Sequence, residues 1–249
     1  MVIPIYDDNP LVFKTRPYVT WLLIFANVAI FIFLQTEALS DAQQSFARAL
    51  TFKPSHVGHG TTMTTGQTWI PWELTLVTYM FLHANWFHLI GNMLFLWVFG
   101  DDVEDTFGRI RYLAFYILCG VAGGLAHYFS APNSQLPLIG ASGAIAGIVA
   151  AYLMVRPCTK VWVLVLMSFP IRLPAYLVLG SWVLLQIWHV MFPSDGHTSW
   201  WTHIGGLAAG AMLVIVMRKP GVKLFECYQT AAERKLPPTK PGVVRVDTP

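Results

Sequence analysis

A serine set among glycines, Gly140-Ala141-Ser142-Gly143, opens the apolar run AIAGIVAAYLM, and His203 opens a second one, IGGLAAGAM. A hydroxyl and an imidazole are the parts of a nucleophile and its base, the ring taking the proton as the oxygen attacks. The stretch HANWFHLIGN adds His83, His88 and Asn92. His88 and Asn92 stand four apart and so share a helical face. Imidazole and carboxamide N–H groups are donor types that hold the oxyanion of a tetrahedral intermediate, each contributing about 3–4 kcal/mol. Polar groups at membrane depth are costly and ordinarily face an interior cavity. His83, nearest the membrane boundary, reads more simply as a residue tying loop to helix. A metal reading finds no support, because the helical H-E-x-x-H pattern is absent and His56 and His59 lie in a glycine-rich loop.

Ser142 and His203 do chemistry only if their two runs meet. Each run carries a small-xxx-small face, Gly143 with Gly147 and Gly206 with Gly210, and such faces let helix backbones approach closely in lipid. Meeting in register, they bring the two side chains within about one helical turn of each other. The alternative stays open that the glycines only pack helices and that His203 is a satisfied interior histidine.

The composition sets the stage for these runs. The chain has 249 residues, 55% hydrophobic and 12% charged, against roughly 25% charged for a soluble domain. Six apolar stretches approach the length of a membrane span, at 18–35, 84–99, 110–129, 141–155, 174–192 and 200–217. The first is too long and bulky for a cleaved signal, and ALSDA makes a poor cleavage site, so it reads as a retained helix. The stretch 161–169, VWVLVLMSF, is too short to cross and reads as an interfacial segment.

Fourteen of the sixteen Lys and Arg fall on one side of this arrangement, with only Arg48 and Lys53 on the other. The positive-inside rule then puts both termini in the cytoplasm. The net charge of +3 reflects that topology and gives no indication of a nucleic-acid partner. The fourth span gives roughly 22 Å of helix against a hydrocarbon core of about 30 Å. With its cytoplasmic end held by Arg156 and Pro157, Ser142 lies below the outer surface. The preceding APNSQLPLI descends as non-helical chain, which survives at that depth only beside a wet cavity or within protein.

The organisation that follows is a membrane-embedded unit over 1–217 and a basic, flexible cytoplasmic tail over 218–249. The long first loop, 36–73, reads as a cap lying on the membrane. In GDDVEDTFGRIRY, Gly100 suits a helix end, and Asp102, Glu104 and Asp105 suit the start of the next helix. Cys119, Cys158 and Cys227 place no pair on the oxidising face, so no disulfide is expected.

With these residues in view, the chain resembles the rhomboid family of intramembrane serine proteases, in its bacterial form. The matching elements are His83, His88 and Asn92 as H-x4-H-x3-N, and Gly100, Glu104 and Gly108 as G-x-x-x-E-x-x-x-G. Gly140, Ser142 and Gly143 supply G-x-S-G, and His203, Gly206 and Gly210 supply H-x-x-G-x-x-x-G. All four, in order, cover nearly the whole membrane unit. The resemblance implies an all-α, polytopic bundle of six transmembrane helices. It also implies a catalytic Ser142–His203 dyad without a third carboxylate, and an oxyanion site of His88, Asn92 and the Ser142 backbone N–H. Further implications are a location in the bacterial inner membrane, no metal or cofactor, and single-span or multi-span membrane proteins as substrates within the lipid bilayer. Oligomeric state is left open. The rival reading is a catalytically silent relative that binds membrane helices as an adaptor; a solute channel lacks a polar path below Ser142.

Three positions depart from the family pattern. Ala146 stands where many relatives have an aromatic residue stacked on the histidine, so His203 takes its orientation from elsewhere, Trp200 or Trp201 being candidates. Trp72-Glu73 replaces the Trp-Arg of some relatives, and Thr202 replaces the alanine that commonly precedes the histidine.

Overall fold

A computed structural model describes residues 2–8, 13, 16–35, 41–58, 70–165, 168–192 and 199–227. Its eight α-helices, in chain order, are α1 (Tyr18–Gln35), α2 (Asp41–Ala49), α3 (Trp72–Thr78), α4 (Trp86–Phe107), α5 (Arg109–Ser130), α6 (Ser142–Val155), α7 (Ala175–Met191) and α8 (Trp200–Met217). Three strands accompany them: β1 (Val2–Asp7), β2 (Lys160–Val165) and β3 (Phe169–Pro174). Helices α5 and α8 are long and apolar enough to cross a membrane, whereas α1, α6 and α7 are shorter apolar helices. His59, Lys14, Trp69 and the tail beyond Cys227 lie outside the described residues.

The centre of the molecule is α6. Its sequence, SGAIAGIVAAYLMV, is apolar on every side, the signature of a helix enclosed by others. Residues Gly143–Tyr152 are all buried, packed by α4, α5 and α8. Small residues set the spacing. A Cβ added to Gly206 would lie 1.9 Å from the Gly143 carbonyl oxygen, and one on Gly210 would lie 2.4 Å from that of Gly147. Gly123 of α5 joins the same contact, its added Cβ falling 2.7 Å from the Thr202 carbonyl oxygen and 3.4 Å from Gly143 Cα. At Gly206 and Gly210 the backbones of α8 and α6 meet directly, while the Thr202 methyl packs against Gly123 and Gly143.

The all-α expectation needs correction. Within segment 161–169, residues 161–165 belong to a strand, β2, which pairs antiparallel with β3 and, on its other edge, with β1 of the N-terminal arm in the order β1-β2-β3. Val161, Val163 and Val165 alternate with Trp162 and Leu164, and the inward Val161 and Val163 are fully buried. A β-branched run with two-residue periodicity fits a pleated surface. The sheet is tied inward through Asp7, which accepts the hydroxyl hydrogen of Tyr152 from α6.

The turn after α4 also differs from expectation. Gly100 does not end the helix; α4 continues to Phe107 and stops at Gly108, whose φ of +80° favours glycine. Gly100 is instead a packing position, where a Cβ would lie 2.8 Å from Tyr112 Oη. The carboxylates serve a different helix end from the one anticipated. Glu104 accepts the backbone N–H groups of Val19 and Thr20 at 3.1 and 2.8 Å and the Thr20 hydroxyl at 2.8 Å. It thus caps α1, and Asp105 accepts the Phe13 N–H at 2.8 Å. A negative group at a helix start satisfies orphan donors and meets the positive end of the helix dipole.

The chain does not leave the body at Arg218. The Lys219 N–H donates to the Thr106 carbonyl at 3.0 Å, Val222 is buried, and the Phe225 N–H donates to the Met154 carbonyl. That path brings Cys227 to Cys158, and the two form a disulfide with a Cα–Cα distance of 5.1 Å. The expectation of no disulfide fails because residues 218–227 fold back along α4 and the end of α6.

Candidate active site

Helix α6 begins at Ser142 itself. Ala141 precedes it without a side-chain cap, so the first N–H groups of the helix remain outside its hydrogen-bond ladder. The approach to Ser142 is non-helical and held by backbone bonds to the segments before α4. Phe52 and Leu138 exchange N–H···O bonds of 3.3 and 2.7 Å, and the Gly140 N–H donates to the Tyr79 carbonyl at 3.0 Å. Phe52 is fully buried, so the first loop reaches into the core and fixes the chain that delivers the serine.

His203 stands in the first turn of α8, one turn before the Gly206 contact with α6. Its Nε2 lies 2.9 Å from Ser142 Oγ, and both residues are half-buried. Thr202 holds the start of the helix. Its hydroxyl lies 2.7 Å from Ser199 Oγ, which in turn lies 2.7 Å from His127 Nδ1 on α5. The departure at Thr202 is therefore an anchor for the turn that presents His203.

His88 and Asn92 approach the serine from α4. Asn85 caps that helix by accepting the His88 N–H at 2.9 Å. Gly140 has a φ of +119°, and a Cβ there would lie 2.7 Å from His88 Nε2 and 3.8 Å from Asn92 Nδ2. Glycine at 140 leaves room for the imidazole two residues ahead of Ser142. The His88 Nδ1 faces the Ala84 N–H at 3.5 Å, a contact that suits the tautomer with its hydrogen on Nε2. Asn92 donates one amide hydrogen to His83 Nε2 at 3.0 Å, and its amide carries a second. His83, read from sequence as a loop tie, is buried and also packs its ring edge on His88 at 5.0 Å. It holds the two donors rather than the loop alone. No metal-binding cluster of His, Cys, Asp or Glu, at His56 or elsewhere, is present among the described residues.

Sequence reasoning missed Gln186 of α7. Its Oε1 lies 2.7 Å from His203 Nδ1, and its Nε2 donates to the Trp182 carbonyl at 3.0 Å. The signal was a lone carboxamide in the apolar run YLVLGSWVLLQIWHVM. Trp200 touches His203 edge to face at 5.8 Å, and Trp182 lies 5.9 Å from it at a tilt of 37°. Trp201, the other aromatic candidate, is exposed. Ala146 is buried at the α6–α8 contact, 3.2 Å from a Cβ added to Gly206. A larger residue there meets the backbone of α8.

Comparison with known proteins adds to this geometry. The rhomboid domain profile matches residues 66–220, more than half of the chain. The chain is 30% identical over 156 residues to the chloroplastic rhomboid-like protein 11 of Arabidopsis thaliana, covering 57% of this chain and 52% of that one. It is 31% identical over 140 residues to the rhomboid protease GluP of Bacillus subtilis, covering 56% of this chain and 25% of the other. Over 85 residues it is 39% identical to the rhomboid protease AarA of Providencia stuartii, 29% of this chain and 30% of that one. The chain thus spans about half, or less, of the length of these relatives. Since the matched region runs from α3 to α8 and holds His83, His88, Asn92, Ser142, Gln186 and His203, the chain belongs to the rhomboid family of membrane proteins.

Proposed function

We propose that this protein is an intramembrane serine endopeptidase that cuts transmembrane segments of other membrane proteins near the outer membrane interface. The observation that carries the reading is the Ser142 Oγ–His203 Nε2 distance of 2.9 Å at the start of a buried helix. In this reading α1 and α4–α8 form the six-span unit of 1–217, with 218–249 as a cytoplasmic extension. The lysine and arginine distribution supports cytoplasmic termini, and the bacterial relatives favour a bacterial inner membrane.

Catalysis proceeds in two stages. His203 Nε2 takes the Ser142 proton as Oγ attacks the scissile carbonyl. The carbonyl oxygen, now negative, is held by the Ser142 backbone N–H, the His88 Nε2–H and an Asn92 amide hydrogen. The imidazolium then gives its proton to the departing amine, leaving an acyl-enzyme. Water, deprotonated by the same imidazole, releases the new carboxyl end and restores the serine. No residue in this scheme requires a metal or cofactor. A substrate helix must unwind before its backbone reaches Ser142, so cleavage falls at small or helix-weakening residues. Glycine costs about 1 kcal/mol in a helix relative to alanine, which favours such sites.

Reconstituted protein tests this with two membrane-spanning peptides, one rigid poly-Leu and one interrupted by Ala and Gly. The expected result is cleavage of the interrupted span alone, abolished by Ser142→Ala. Binding of both spans without cleavage of either returns the adaptor reading.

A further inference from the structure

The structure assigns Gln186 as the positioning residue for His203, a neutral group in the place that a carboxylate holds in a Ser-His-Asp site. The inference rests on the Ser142–His203 reading and adds what fixes the imidazole within it.

The argument turns on which hydrogen sits where. Gln186 folds its side chain back along α7, and its Nε2 donates to the Trp182 carbonyl one turn earlier at 3.0 Å. That bond commits the amide nitrogen and turns Oε1 toward His203 Nδ1 at 2.7 Å. An amide oxygen only accepts, so Nδ1 must carry the imidazole hydrogen. A neutral imidazole has one such hydrogen, which leaves Nε2 bare. Ser142 Oγ, 2.9 Å away, then donates into that lone pair. The relay Trp182 carbonyl, Gln186, His203, Ser142 has one consistent set of donors and acceptors, and it is the set a general base requires.

Burial strengthens the assignment. Gln186 is only 2% exposed in a largely apolar helix, and a buried carboxamide is expensive unless both ends are bonded. Here both ends are. The rings of Trp182 and Trp200 flank His203 at 5.9 and 5.8 Å and limit its tilt, but neither supplies an acceptor for Nδ1–H. A neutral acceptor orients the ring but stabilises the imidazolium that forms in the transition state less than a carboxylate does. The cost is a weaker base than a carboxylate-backed histidine.

The test compares wild type, Gln186→Leu and Gln186→Glu by pH profile of kcat and KM, with melting temperature and fluorophosphonate labelling as controls. Gln186→Leu removes the acceptor at similar volume. It is expected to lower kcat roughly 10- to 100-fold with KM little changed, because the wrong tautomer becomes populated. Gln186→Glu keeps the acceptor and adds charge, so the acidic limb of the profile moves up by about one pH unit. A residue that merely fills space leaves the tautomer and kcat of the leucine variant unchanged. A 15N histidine spectrum of the unliganded protein reads the tautomer without turnover, with Nδ1 protonated in wild type and not in Gln186→Leu. Wild-type kcat and an Nδ1-protonated imidazole in the leucine variant overturn the assignment while leaving the dyad intact. Wild-type protein that never labels at Ser142 overturns the dyad itself.

Discussion

Replacing Gly206 with alanine tests how closely the two backbones must meet for the site to exist. The new Cβ falls 1.9 Å from the Gly143 carbonyl oxygen and 2.8 Å from its carbon. A comfortable carbon–oxygen contact is about 3.3 Å, so α8 must withdraw from α6 by roughly 1.4 Å. Neither partner can yield locally, since the obstructing atoms are backbone. His203 rides on the same helical turn as Gly206, so its 2.9 Å bond to Ser142 stretches past hydrogen-bond reach. A misplacement of this size costs about a hundredfold in rate, or close to 2.7 kcal/mol of barrier. The assay is kcat on a reconstituted transmembrane substrate, with thermal melting measured in parallel. Gly180→Ala on α7 is the control, because no atom lies within 4 Å of a Cβ there. Gly206→Ala with kcat within about threefold of wild type and an unchanged melting temperature would refute the reasoning that contact distance sets catalytic geometry.

Other perturbations probe separate parts of the account. Gly140→Ala puts a Cβ 2.6 Å from His88 Cε1 at a φ of +119°, so kcat is expected to fall about a hundredfold while KM changes little, read by steady-state kinetics. His83→Phe removes the partner that holds Asn92, and a roughly tenfold loss of kcat with retained folding is expected. Burial raises the Asp7 carboxyl above its ordinary range, offset in part by hydrogen bonds from Asp102 and Tyr152. A raised carboxyl favours the protonated folded state, so its contribution is lost as pH rises through that raised range. Thermal melting against pH should accordingly decline in that interval, and Asp7→Asn should flatten the decline. Thiol alkylation of native protein should modify none of Cys119, Cys158 and Cys227, then the latter two after reduction, because Cys119 is buried and the others are paired.

Much of the site could be read from the chain because its cues are local. Each glycine pair begins within one turn of Ser142 or His203, and its four-residue spacing specifies which faces can touch. His88 and Asn92 share a helical face for the same reason. What escaped depends on partners distant in sequence. Glu104 looks like the cap of the helix that follows it, but the donors it serves are Val19 and Thr20, 85 and 84 residues away. The strand character of residues 160–165 and 169–174 was hidden because a short apolar run fits an interfacial segment equally well until β1 supplies its pairing partner. Gln186 offered one carboxamide in an apolar helix, and nothing local points to an imidazole seventeen residues on. The Cys158–Cys227 link follows from the path of residues 218–227, which composition describes only as basic and proline-bearing.

The central claim is that Ser142 is an activated nucleophile and His203 its base. Mass spectrometry of the purified protein after exposure to a fluorophosphonate measures this with no assumption about substrate. The account predicts one adduct, on Ser142, formed slowly or not at all in His203→Ala and absent in Ser142→Ala. An unmodified wild type, or an adduct that persists in Ser142→Ala, would contradict it.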